Sequence, residues 1–386
     1  MVSVETPARV GGLAAYQRML ASRLGEREGV RGEFLCLREP RRIDRGEATL
    51  PWPVKFVGSI RWDRMHRWMT HLASRRLLHG MLERVTCAAL PSQRISSEAS
   101  GSDVLHFIGT GWEFLGFAVH AAAKRVGARF TILPAVHPLS WGDDAIDIRL
   151  YNMADRVLCL SEFEKRHLAG RGVSPEKLLR CGLPPMCPED GDGRELRAAL
   201  GIESRPTVLF LGRRDRGKGY RALLEAWSLV LRQIPDAVLL LAGPGQTHET
   251  LPSSLLPDSV RDLGVPDEAA KANALAACDV FCLPSAHESF GIVYLEAWSY
   301  GKPVICGTAP ASRELVENGE TGLWSDGSPE AIAVQIVALL RHDELRERLG
   351  AAGRAFQKRE YTWEHSLAAH LAAFERDPNE LSAARV

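Results

Sequence analysis

Three stretches of this chain combine charged side chains and glycines in the way an anion site requires. In the first, Val208-Leu-Phe-Leu-Gly-Arg213-Arg-Asp-Arg-Gly-Lys218-Gly-Tyr220, an apolar run ends at Gly212 and a short loop carries Arg213 and Lys218. A guanidinium offers phosphate oxygens a planar fork, and an ammonium offers a mobile point charge. Taken alone, the same loop also fits a solvated basic turn. It satisfies G-x-x-x-x-G-K from Gly212 to Lys218, but Gly219 stands where a nucleotide-hydrolysing phosphate loop needs Ser or Thr for magnesium. The next apolar run, Ala237 to Gly243, also lacks the closing acid of such a site. An NTPase is therefore the weaker reading.

The second stretch runs from Cys278 through Pro284-Ser-Ala-His-Glu288-Ser-Phe-Gly291-Ile-Val-Tyr-Leu-Glu296. An apolar strand ends at Pro284, a loop carries Glu288, and a helix is expected to begin near Phe290 with Ser289 as its N-cap. Free N–H groups at Phe290, Gly291 and Ile292 would then face an anion, and Gly291 would let a ligand approach the backbone. Glu296 falls about two turns inside that helix, roughly 9 Å along its axis. A diphosphate on the helix end would thus be flanked by two acids suited to hydroxyls, Glu288 on a sugar and Glu296 on a ribose. The plainer alternative for Glu296 is a capping or surface acid. The third stretch, Gly301 to Cys306 and then Glu314 to Leu323, reads as a strand followed by a glycine-bearing loop.

These loops need a scaffold, and the chain supplies one twice. Apolar runs bounded by Gly or Pro alternate with helical patterns in both halves, which is the signature of parallel sheets with crossover helices. Strands are expected at 103–108, 129–134 and 156–161, then at 207–212, 237–243, 280–284 and 303–306. Helices are expected at 11–25, 117–126, 163–170, 220–233, 291–300 and 329–340. The Pro-, Gly- and acid-rich stretch 182–194 has the composition of a linker. The expectation is an α/β chain of two Rossmann-like domains with parallel sheets facing across a cleft. One comprises residues 1–185 joined by the tail 358–386, the other residues 186–357. Strand Met1-Val4 is very short, so either it is clipped or the true start lies upstream.

Composition narrows the function. Of 386 residues, 48 are Lys or Arg and 48 are Asp or Glu, so no global basic excess argues for nucleic acid. No apolar run approaches a membrane span, no signal peptide is recognisable, and a cytoplasmic location is expected. Cysteines 36, 87, 159, 181, 187, 278, 282 and 306 lack metal-ligand spacing and read as buried thiols.

The chemistry-bearing segments resemble the retaining family-4 glycosyltransferases of the GT-B fold. Glu288-Ser-Phe-Gly-Ile-Val-Tyr-Leu-Glu296 matches that family's E-x7-E signature with F-G inside it. Gly212-Arg213 and Lys218-Gly219 match its G-R-x4-K-G diphosphate motif, and the likeness extends over about 205–365. The resemblance implies a hexosyltransferase with Arg213 and Lys218 on the diphosphate, Glu288 on the donor sugar and Glu296 on the ribose. The base is implied near Arg261 to Val265. Gly11-Gly12 resembles the family's glycine loop near the diphosphate and acceptor, and Val157 to Phe163 its v-S-E-f step. His137 falls where the family carries a histidine facing the donor sugar, although a lone His at a strand end can also be a surface or capping residue. Glu113 is a candidate acceptor contact.

The implied reaction is a metal-independent, cofactor-free transfer with retention from a UDP-, GDP- or ADP-sugar to a glycan or lipid-linked glycan. Arg213, Lys218 and the helix end at Phe290 and Gly291 would stabilise the departing diphosphate, with Glu288 and His137 on the sugar. A non-catalytic sugar-nucleotide-binding protein is the alternative. Residues 55–84 depart from the family pattern. They carry Arg61, Arg64, Arg67, His71 and Arg75 at helical spacing beside Trp62, Met65, Met69 and Leu72. Such a helix fits peripheral contact with the inner face of an anionic membrane, and equally a core helix with a solvated basic face.

Overall fold

The computed structural model describes residues 1–3, 7, 12–37, 50–58, 91–138, 141–245 and 259–375. The chain forms two compact units, one of residues 1–182 with 363–386 and the other of residues 183–362.

Unit 1 holds strands β1 Val2–Ser3, β2 Phe34–Cys36, β3 Val54–Phe56, β4 Val104–Ile108, β5 Arg129–Leu133, β6 Arg156–Cys159 and β7 Leu178–Arg180. They make one sheet in the order β3-β2-β1-β4-β5-β6-β7, with every pairing parallel. Among the described residues the unit also holds helices α1 Gly12–Gly25, α2 Pro91–Glu98, α3 Leu115–Val126, α4 Ala145–Met153 and α5 Glu162–Gly170. Unit 2 repeats the plan with β8 Thr207–Leu211, β9 Val238–Ala242, β10 Val260–Asp262, β11 Val280–Leu283, β12 Val304–Cys306 and β13 Gly322–Trp324. Their order is β10-β9-β8-β11-β12-β13, again all parallel. The described residues of unit 2 also form helices α6 Gly193–Leu200, α7 Tyr220–Leu231, α8 Glu268–Ala277, α9 Ile292–Ser299, α10 Pro310–Leu315, α11 Pro329–Arg341 and α12 Asp343–Glu360.

Both orders are doubly wound: the chain reverses direction beside the first strand of each sheet, and ligands in such sheets bind outside the strand ends at that reversal. In unit 2 the reversal lies between β8 and β11, whose following loops are the first two stretches singled out above. Strands β8, β9 and β11 are buried along their whole length, because helices cover both faces of the sheet.

The stretch 182–194 is not a free linker. Asp192 caps α6 by accepting from the backbone N–H groups of Arg194 and Glu195, each at 2.9 Å. The Asp192 N–H donates to Asn273 at 2.7 Å, and the Tyr300 hydroxyl donates to the Pro188 carbonyl. Pro, Gly and Asp break secondary structure, but here the Pro188 carbonyl and the Gly191 and Asp192 N–H groups are satisfied by unit 2 side chains.

A C-terminal helix, Trp363–Phe374, returns to unit 1. Tyr16 stacks on Trp363 at 5.8 Å and shares a 2.9 Å hydrogen bond with Ser366. Arg129 Nε donates to the Ala373 carbonyl at 2.9 Å. His106 and His370 meet edge to face at 5.6 Å, both essentially buried. Burial lowers the His370 pKa from an ordinary 6.5 to about 4, and it lowers His106 well below its ordinary value. A histidine with a depressed folded pKa takes up protons more readily when unfolded, so stability falls as pH drops below 6.5 toward 4. For His370 alone the loss is about 3 kcal/mol by pH 4 at 1.36 kcal/mol per pKa unit. Chemical denaturation across that range should show this loss, and His370→Phe should flatten it; an unchanged slope in the variant would remove His370 from the account.

Candidate functional site

The two loops at the unit 2 reversal are fastened to each other before either meets a ligand. The β8 loop makes a single 3₁₀ turn at Arg216–Lys218, capped by the Asp215 carboxylate, which accepts from the Lys218 N–H at 3.0 Å. The Gly217 carbonyl then accepts from the backbone N–H groups of Ala286 (2.9 Å) and His287 (3.2 Å), and from the Ser285 hydroxyl (3.0 Å). Gly219 completes the turn at φ 70°, where an added Cβ would lie 2.2 Å from the Pro284 carbonyl oxygen. Only glycine permits that approach.

The clamp brings Lys218 and Glu288 together. Lys218 Nζ lies 2.5 Å from Glu288 Oε1 and 3.2 Å from the His287 carbonyl oxygen, with side chains only 12% and 8% exposed. A nearly dry ion pair at a strand-end reversal is a charge site in low dielectric. Arg213 remains at the surface, 66% exposed, with Nε 3.5 Å from Asp215 Oδ2. Its neighbour Arg214 turns inward, only 3% exposed, and makes a two-pronged pair with Asp262 at the end of β10, one prong 2.6 Å long. Hydrogen bonding to Arg214 holds the Asp262 carboxyl below its usual pKa. Arg214 thus ties the Arg213–Lys218 loop to the end of β10, where the base was expected near Arg261 to Val265.

The α9 end differs from expectation. Ser289 does not cap it; the cap is Gly291 at φ 90°, and the helix begins at Ile292. A Cβ on Gly291 would sit 2.7 Å from the Tyr294 ring, so the chain turns at the one residue that has none. The first-turn N–H groups therefore belong to Ile292 and Val293, while Phe290 is buried with its ring against Tyr361 at 5.4 Å. Glu296 is then only about 6 Å along the helix, one turn inside.

Glu296 is almost fully buried and paired with Lys271 of α8, whose Nζ lies 3.0 Å from Glu296 Oε1 and 2.7 Å from Glu268. Burial opposes the Lys271 charge, yet the Glu296 and Glu268 carboxylates outweigh it and hold the ammonium above the usual lysine pKa. Burial raises the Glu296 carboxyl, offset in part by Lys271 and by a backbone hydrogen bond from Met186. Lys271 has no counterpart among the expected site residues: it is 25 positions from Glu296, and nothing in its local spacing marks it.

Unit 1 places His137 on the loop following β5. Ala135 adopts φ 51°, a conformation rare outside glycine, and the Val136 N–H donates to Glu164 Oε1 at 2.6 Å. The other Glu164 oxygen accepts from the Leu160 N–H at 2.5 Å, so one buried carboxylate spans the loops after β5 and β6. Burial pushes Glu164 up to about 7, against those two bonds. Glu113 accepts from the Thr110 N–H at 3.2 Å and caps its own turn, so its carboxylate already has a structural task. Gly12 is the exposed first residue of α1, and Gly11 lies outside the described residues.

Of the basic stretch 55–84, Lys55 is in strand β3, where it pairs with Glu33 (2.7 Å) and Glu98 (3.0 Å); residues 59–84 lie outside the described residues. No helix among the described residues is long and apolar enough to cross a membrane. The seven described cysteines are all buried thiols, and Cys87 lies outside the described residues.

Comparison with known proteins agrees with this geometry. The family model "Glycosyl transferases group 1" matches residues 192–356, and "Glycosyl transferase 4-like domain" matches residues 11–182. Phosphatidyl-myo-inositol mannosyltransferase of Mycobacterium leprae is 44% identical over 162 residues, 41% of this chain and 43% of that protein. The match thus spans less than half of that relative's length. A GDP-mannose-dependent alpha-(1-6)-phosphatidylinositol monomannoside mannosyltransferase of Mycolicibacterium smegmatis is 29% identical over 72% of this chain and 79% of its own. Among solved structures, Anabaena Alr3699/HepE in complex with UDP and glucose has a TM-score of 0.71 at 17% identity, covering 99% of both chains. Sucrose-phosphate synthase of Thermosynechococcus elongatus reaches 0.74 at 19% identity with the same coverage. Two doubly wound parallel sheets, the clamped Lys218–Glu288 pair and these two matches place this chain in the family-4 glycosyltransferases of the GT-B fold.

Proposed function

We propose that this protein transfers a hexose from a nucleoside-diphospho-sugar to a lipid-linked acceptor, retaining the configuration at the anomeric carbon and using no metal. The observation that carries the reading is the Lys218–Glu288 pair, nearly dry and held where two loops are clamped at the sheet reversal.

The difficult step is the departure of the diphosphate as positive charge grows on the sugar. Lys218, Arg213 and the first-turn N–H groups of α9 stabilise that leaving group in the role a metal plays elsewhere. Glu288 orients the sugar hydroxyls, and its pairing fixes the Lys218 ammonium. Glu296, itself oriented by Lys271, is the ribose contact, and Asp262 with Arg214 shapes the ground under the base. His137 and the loop at Gly11-Gly12 are assigned to the transferring sugar and the diphosphate on the family resemblance. Retention rests on that resemblance as well.

The relatives narrow the substrates: a name with GDP-mannose and names with phosphatidylinositol point to GDP-mannose as donor and a phosphatidylinositol-type lipid as acceptor. With a lipid acceptor, the reading has the protein act as a peripheral enzyme at the cytoplasmic face of a membrane. Thermal shift with UDP-, GDP- and ADP-sugars tests the donor, since a ligand at 100 times its Kd stabilises by about 2.7 kcal/mol. GDP-mannose should give the largest shift, and label should pass from it into phosphatidylinositol vesicles in EDTA. No shift with any of the three donors would overturn the reading; transfer abolished by EDTA would overturn its metal-free part.

A further inference from the structure

Trp141 is tied down through its backbone and left in solvent. Among the described residues three large hydrophobic side chains are exposed, and Trp141 at 39% is the only aromatic one. Its backbone is far from loose. Trp141 and His137 exchange both backbone hydrogen bonds, Trp141 N–H to the His137 carbonyl at 2.8 Å and the reverse at 2.9 Å. The His137 side of this pair is braced by Ala135 in its left-handed conformation and by the Glu164 bond to the Val136 N–H. The other side is braced by Gly142 at φ 88°, whose carbonyl accepts from the buried Tyr151 hydroxyl at 2.8 Å. Next to it, the Asp143 carbonyl accepts from Arg171 at 2.9 Å, and the Asp143 carboxylate pairs with His167 at 2.8 Å.

That framework uses an unfavourable φ and a buried carboxylate to fix a ring that makes little contribution to the core. The indole lies 5.9 Å from the His137 ring at an interplanar angle of 53°, and its N–H has no hydrogen-bond partner among the described residues. An aromatic face with a donor edge, beside an imidazole, has defined complementarity. The C–H bonds on one face of a saturated six-membered polyol ring are apolar and slightly positive, and they suit the negative face of an indole. The ring's equatorial hydroxyls suit the indole N–H and the imidazole.

We infer that Trp141, with His137, forms a stacking platform for a polyhydroxylated six-membered ring, a pyranose or a cyclitol. Trp141 thereby helps select what this chain handles. The inference deepens the proposed sugar transfer and rests on it, so its test uses a binding signal that needs no turnover. The full chain is labelled with ¹⁵N at its tryptophan indoles, and the Trp141 resonance is assigned as the one missing in Trp141→Phe. It is then titrated separately with myo-inositol, methyl α-mannoside and the open-chain polyol mannitol.

The expected result is a saturable shift of the Trp141 resonance with at least one ring compound and none with mannitol. A response to inositol assigns the platform to the acceptor ring, and a response to the mannoside assigns it to the donor sugar. Trp141→Phe keeps a face and should weaken ring binding, followed by ligand-observed saturation transfer, by roughly five- to tenfold, with Trp141→Ala losing it. A Trp141 resonance unmoved by either ring up to their solubility limits, or moved equally by mannitol, would overturn the inference. Failure of the transfer reading shows elsewhere, as absence of a donor-induced thermal shift, which depends on unit 2.

Discussion

Glu288→Gln and Lys218→Ala are each expected to lower sugar transfer by at least about 10²-fold, and toward 10³-fold for the lysine, as for loss of one preorganised charge donor at a leaving group. The expectation follows from how the two are held. Their side chains are 8% and 12% exposed, and their 2.5 Å contact is imposed by backbone bonds between two loops rather than by the side chains themselves. Removing either changes a charge in a nearly dry site without loosening the clamp at Gly217. The two substitutions should also be strongly non-additive, since each removes the same pair. A double-mutant cycle on kcat/KM, read beside circular dichroism to show an intact fold, checks this. Near-normal turnover in both single variants would remove the pair from the chemistry.

The second large effect concerns stability. Lys271→Met leaves the Glu296 carboxylate, 2% exposed, without its cation, and breaking a buried pair in this way costs about 3–5 kcal/mol. The sign of the pH dependence follows. Burial already raises the Glu296 pKa, and without Lys271 the main offset to that rise is gone. A carboxyl whose folded pKa is raised contributes its stability below the unfolded value and loses it as pH climbs through the folded one. The variant should therefore lose more stability at pH 8 than at pH 5 in urea denaturation. Adding Glu296→Gln should flatten that dependence. A Lys271→Met protein as stable as the parent at both pH values would show that the pair does not hold this part of unit 2.

Much of the site was legible because it is local. Glu288 to Glu296 is one loop and one helical turn, and Gly212 to Gly219 is one strand end. Residue type and spacing within such short segments limit the backbone directly. The alternation of apolar runs and helical patterns was legible for the same reason, since strands buried on both faces leave continuous hydrophobic stretches. Five of the six described three-residue strands escaped: Phe34–Cys36, Val54–Phe56, Leu178–Arg180, Val260–Asp262 and Gly322–Trp324 are too short to show a period, whereas Val304–Cys306 is marked by the flanking Gly301, Pro303 and Gly307. The cap of α9 was misplaced because Ser289 has the better capping side chain, while the turn required positive φ, which only Gly291 tolerates.

Residue type and spacing settle the class of this protein: parallel sheets in two α/β halves, an acid-flanked helix end and a basic loop, each written in a short contiguous segment. Tertiary structure decided which of those charges are dry and whom they meet. Arg213 and Arg214 are neighbours of the same type, yet one is 66% exposed and the other 3%, because only the second points at Asp262 on a strand that joins the sheet two places away. Lys271 reaches Glu296, and Glu164 reaches Val136, across gaps of 25 and 28 residues. Burial and pairing are properties of three-dimensional neighbours, and packing chooses those neighbours through contacts that carry no local spacing for a sequence to display.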